Sequence, residues 1–285
     1  MNKFIKRFLL TFLTLVLVLP IMARTAVDND GARIMDQQLL NMNELNMYIS
    51  NFSIFGQNNL TGNSGGWWPR AYSAETYIFG AGVWIGALVD TGFTVSGTDT
   101  TWLVDTLVSC GYDANAGATE FVPGDIDPNS PDRPTPYVNP WDIVYISTND
   151  NGGQPWPIMN TEGGDSVVSM QDSYCEYNDK DLTAHITEDN KPLEVEVMQT
   201  TYAWVGPLKE DIVFVKFDIR NDRTDGNDLK KCFVGINTDN DIGNEADDAA
   251  NDLLGFIDTM TVDYNGVEDT LMQINVGYQF QLETE

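Results

Sequence analysis

Histidine is almost missing from this chain: His185 stands alone in 285 residues. A single histidine excludes a two-histidine zinc site. A Ser–His–Asp arrangement would have to use it, yet His185 sits in the polar, turn-like stretch DLTAHITEDN, and no G-x-S-x-G motif occurs. Cysteine is scarce and dispersed. Cys110, Cys175 and Cys232 form no CxxC pair, so one disulfide with a free thiol and three buried thiols both stay open. Basic residues are few: 15 Lys and Arg against 43 Asp and Glu give a formal charge of -28. That imbalance argues against nucleic acid and anionic membranes, which are bound by neutralising phosphate. It favours solubility, cation binding or a charged extracellular matrix. No P-loop or dinucleotide fingerprint occurs.

Long apolar runs are confined to the N-terminus. Lys3, Lys6 and Arg7 precede the run Phe8 to Leu19, and Pro20, Ala23 and Ala26 follow it. The run is shorter than the ~20 residues of a spanning helix. Residues 1–26 are therefore read as a secretory signal peptide, with cleavage after one of the two alanines and no membrane insertion afterwards. The remainder is long enough for one or two domains. Its 42% hydrophobic content and seven Trp exclude a disordered chain.

The patterning has period two. Leu45 to Ile49, Thr101 to Val108 and Trp141 to Ser147 read as strands. Tyr77 to Val89 is a long β-prone run interrupted by Gly80, Gly82 and Gly86, and glycines inside a strand mark a bulge or a close backbone approach. Leu193 to Gln199 alternates strictly. Asp211 to Ile219 alternates from Ile212 on, with Val213 apolar on its outer face. Lys231 to Ile236 and Leu271 to Leu282 complete the set. Only Ala32 to Leu40 and Glu245 to Leu254 look helical. Strands at this spacing predict an all-β fold of antiparallel β-sandwich units. The Gly-, Pro- and Asn-rich stretch Asn149 to Gly164 suggests two units, 30–160 and 165–285. One continuous sheet system is the alternative.

The most acidic stretch is Asn237 to Asp258, read as a loop between two strand-like segments, with seven carboxylates and no Lys or Arg. Charges this dense are either left in water or gathered round a cation. Asn237, Asp239 and Asp241 place oxygens at alternate positions, and Glu245, Asp247, Asp248 and Asp252 could close the shell. The pattern is not an EF-hand, because Ile242 stands at the sixth position and glycine only at the seventh. Calcium is the expected ion. Extracellular sites need only ~10⁻⁴–10⁻³ M affinity. A second, weaker candidate is Gly124 to Asp132, where Asp125, Asp127 and Asn129 repeat the spacing between prolines.

Catalysis has little support. Paired carboxylates serve glycoside hydrolysis, but among 43 acids some pair always lies close. Of the tryptophans, Trp84 and Trp204 lie in strands and are read as core. Trp67-Trp68-Pro69 and Pro155-Trp156-Pro157 lie in turn-like segments and are better placed for surface contact. Asn51 and Asn59 head N-x-Ser/Thr acceptor patterns.

Four phrases, GGWWPRAYSAETYIFGAGVWIGALVD, SMQDSYCEYNDKD, LEVEVMQTTYAWVGPLKEDIVFVKFDIRN and CFVGINTDNDIGNEADDAANDLLGFID, stand in this order. The series resembles large secreted proteins of bacteria related to the Bacteroidetes–Chlorobi group, many of which carry fibronectin-like modules and a type nine secretion sorting domain. The resemblance spans roughly residues 45 to 270. It implies a secreted or cell-surface protein, and its acidic phrase falls here on Asp239, Asp241, Gly243, Asp247, Asp248 and Gly255. The sorting domain is not in this chain, which suggests a piece of a longer product. The expectation is an exported structural or adhesive protein, not an enzyme. It would meet an extracellular protein or a glycan surface and hold calcium in its acidic stretch. A carbohydrate-binding module is the first alternative and a secreted hydrolase the second.

Overall fold

β-Branched and aromatic residues at alternate positions leave each segment with one face to bury, and pairing in sheets buries it. The computed structural model describes residues 35–73, 76–124, 143–158, 166–186, 191–243, 252–264 and 267–281. The expected signal peptide and all but Gly124 of the 124–132 stretch lie outside them. The fold is all-β and antiparallel, as the alternation predicts. Among the described residues the only helical elements are two three-residue 3₁₀ turns, Asn151–Gly153 and Leu182–Ala184.

The first sheet joins β1 (Gln37–Leu40), β2 (Asn46–Ser50), β5 (Gly66–Trp67), β6 (Thr76–Ser96) and β13 (Lys230–Gly243) in that order, with β7 (Asp99–Cys110) also on β6. β3 (Gln57–Asn58) and β4 (Asn63–Ser64) form a small hairpin between β2 and β5. The second sheet runs β12 (Val213–Asn221), β11 (Val195–Ala203), β10 (Gln171–Asn178) and β8 (Val122–Pro123), with β9 (Tyr145–Ile146) also on β10. β14 (Asp252–Tyr264) and β15 (Val267–Gln281) pair with each other.

The two sheets share one core. Leu40, Ile49, Val83, Ile85 and Leu107 from the first pack with Ile146, Cys175, Tyr177, Val195 and Val197 from the second, giving a sandwich-like arrangement. The strand pairs reach across the Asn149–Gly164 connector in both directions. β13 pairs with β6, and β10 pairs with β8 and β9. Strands of the 30–160 and 165–285 segments are thus hydrogen-bonded to each other. Long-range pairing of this kind leaves no local mark on composition.

Two expectations are corrected. Gln37–Leu40 and Asp252–Leu254 are strand rather than helix, because pairing with β2 and β15 outweighs weak local propensity. Val213 packs against the core with Val215, Phe217 and Ile219, so Phe214 is the outward residue.

Candidate functional site

Asn237, Asp239 and Asp241 lie inside β13 and not in a loop. Their alternate spacing is that of a strand, which turns every second side chain to one face. Asp252 opens β14, and Asp247 and Asp248 lie outside the described residues. Asn237 pairs with Gly82 and Asp239 with Gly80 on β6. Both are engaged there. Asn237 Nδ2 donates to the Tyr112 carbonyl at 2.9 Å, and the Tyr112 hydroxyl donates to Asp239 Oδ2 at 3.1 Å. Asp241 is also held by an interaction of its own. Among the described residues, no group of three or more His, Cys, Asp or Glu side chains is close enough to hold a metal ion.

The glycines of β6 explain this arrangement. A Cβ at Gly80 would meet the Tyr112 ring at 2.6 Å, and one at Gly82 would meet the Gly111 carbonyl at 2.5 Å. The expected close approach is thus the Gly111–Tyr112 segment lying flat on the sheet. Tyr112 is fully buried beside Phe52 and Ile54, a second small core on the outer face. Burial and the Asp239 carboxylate together push its phenol well above the ordinary range, so it stays a proton donor. Its carbonyl also accepts from Trp84 Nε1 at 2.8 Å, which places that indole on the outer face instead of in the main core.

Polar groups with chemical potential are locked inside. Asp179 accepts from Leu193 N at 2.7 Å, Val195 N at 2.8 Å and the Ser109 hydroxyl. Burial raises its pKa, and these donors pull it partway back. His185 is not an exposed turn residue. Its ring is buried, with Nε2 2.9 Å from the Asp179 carbonyl and Nδ1 3.7 Å from Glu120. Glu120 in turn accepts from Cys110 N and Ile186 N. Ser109 therefore hydrogen-bonds to the Asp179 carboxylate, and His185 does not serve it as a base.

None of the three cysteines is in a disulfide. Cys110 and Cys175 are buried and Cys232 is exposed. Burial, with Glu120 nearby, pushes the Cys110 thiol up to about 12. A thiol held protonated is unreactive. One rapid equivalent of Ellman's reagent is the expected titration of the native chain, with two more only after unfolding. Three fast equivalents would contradict the burial.

The aromatics divide differently from their sequence context. Trp156, expected at the surface, is 5% exposed and packs with Ile143, Tyr145 and Tyr174 over the outer face of β10. Trp68 is exposed at the β5 end, and its Nε1 donates to Asp211 at 2.7 Å. Trp204, expected in the core, stands between Tyr202 and Phe214 at ring distances of 6.1 and 5.5 Å, with Lys209 Nζ 4.8 Å from its face. Asn51 is buried and accepts from Asp36 N, so the first acceptor pattern is spent on folding. No protein-family profile, curated protein or solved structure matches this chain.

Proposed function

We propose that this chain is an exported module that works by contact, in a structural or adhesive role at or outside the cell surface. One observation carries the reading. Its potentially reactive side chains Ser109, Glu120, Asp179 and His185 are buried and hydrogen-bonded to one another or to the backbone, while Trp68, Tyr72, Trp102, Phe214 and Leu208 are displayed to solvent. Leu208 is 89% exposed. Displayed aromatics are what interfaces use, since they bring large area at low entropy cost. Beads coated with the mature chain are expected to adhere to envelopes of the source cells and to lose adhesion when the chain is unfolded. Equal adhesion by folded and unfolded chains would remove the reading.

Calcium belongs to the same proposal. The ion would sit along Asn237, Asp239 and Asp241, with Asp247, Asp248 and Asp252 as further ligands. It would offset the repulsion of the acidic stretch. At an affinity of ~10⁻⁴–10⁻³ M, millimolar calcium stabilises by about 1 kcal/mol. The expected result is a melting temperature roughly 2–4 °C higher in calcium than in chelator. An unchanged value would remove calcium from the account and leave the contact role standing.

A further inference from the structure

β6 and β7 run on past the core as a two-stranded arm. Beneath its base, the segments 191–194 and 223–227 enclose a cleft of about 540 Å³. That lies in the ~300–1,000 Å³ range of small-ligand sites. Its lining takes in Phe93 and Trp102, whose rings meet edge to face at 5.4 Å and are 58% and 55% exposed. Trp102 faces Phe93 directly across the β6–β7 pair, and the exposed flat face of its indole suits the C–H face of a pyranose.

Val89, Leu107 and Pro192 add apolar lining, and the charged groups of the rim are locally neutral. Lys191 pairs with Asp105 at 2.9 Å, Lys180 with Glu194 at 3.8 Å, Arg223 with Asp225, and Lys230 with Asp90. In a chain of charge -28, so balanced a rim favours neither an anion nor a cation. It offers instead paired donors and acceptors. Arg223 donates to the Pro192 and Leu193 carbonyls, which fixes the guanidinium, and it holds the Asp225 carboxyl down at about 2. The Asn227 amide is anchored on Asp225 at 3.1 Å. Planar groups of this kind meet vicinal hydroxyls two at a time. Asp90 Oδ1, in the cleft wall, is buried without a hydrogen-bond partner.

We propose that this cleft binds an uncharged saccharide, with one sugar ring against Trp102 and its hydroxyls on the 223–227 segment. The inference rests on the contact role above and names one ligand class for it. Native gels cast with soluble neutral polysaccharides (glucan, mannan, xylan, galactan) or with a uronic-acid polymer provide the test. The wild type is expected to be retarded by at least one neutral polymer. Trp102→Ala and Asn227→Ala should each bind about tenfold more weakly, while Trp68→Ala, on a separate surface, should match the wild type. Two substitutions guard against one of them failing to fold, which circular dichroism would reveal. Undiminished retardation of both variants, or stronger retention by the uronic-acid polymer, overturns the proposal. So does a lack of retardation in every gel, but that outcome leaves the contact role to the bead assay.

Discussion

Gly111→Ala will either fail to fold or lose more than about 3 kcal/mol of stability. A Cβ at this position would lie 2.1 Å from the Val83 carbonyl oxygen and 2.3 Å from Ser53 Oγ. The first neighbour is the backbone of the central strand, which no rotamer change relieves. Ordinary overpacking costs about 1–3 kcal/mol. Here the clash also lifts Tyr112 off Gly80 and Gly82, exposing the small core that it forms with Phe52 and Ile54. The expected fall in melting temperature is at least roughly 6–12 °C. Gly235→Ala is the control, since nothing lies within 4 Å of its added methyl and the residue is already in a strand. A Gly111→Ala chain that melts with the wild type would mean that the 111–112 segment does not lie on β6.

Asp179→Ala carries the second large effect. The carboxylate is the shared acceptor for the backbone N–H groups of Leu193 and Val195 and for Ser109. Removing it leaves three buried donors without partners where β7, β10 and β11 meet. Each unmatched buried donor costs about 1–3 kcal/mol, and breaking a buried charged network about 3–5 kcal/mol. We expect a loss of about 3–5 kcal/mol in denaturant unfolding. Asp179→Asn should recover part of it, because one oxygen remains to accept. A loss below about 1 kcal/mol would show that water takes over these donors and that the site is not dry.

The strands were legible because their alternation is local. Leu193, Val195 and Val197 turn inward as the pattern of that segment predicts, and all three are fully buried. The glycines of β6 were legible as a close approach, but what approaches was not. Gly111 and Tyr112 lie about thirty residues away and look like an ordinary turn. The acids misled in two ways. Glu196 takes a polar position of the alternating Leu193–Gln199 segment, yet it is buried against Arg220. Asn237, Asp239 and Asp241 read as loop ligands because the charge density hid the strand beneath them. Trp156 became core through Ile143, Tyr145 and Tyr174, which lie outside its own turn-like segment, while Trp204 is half-buried among Tyr202, Lys209 and Phe214 close by in sequence. The cleft beside Phe93 and Trp102 was invisible, since it needs β6, β7 and two remote connections.

In the proposed role the chain makes contact without turnover. The direct measurement incubates the mature chain with insoluble polysaccharide particles and source-cell envelopes. Protein left in the supernatant and soluble product are then followed together over time. The account predicts depletion of the protein onto a surface with no product released. Soluble product rising in proportion to the protein added would contradict it and make the chain a hydrolase.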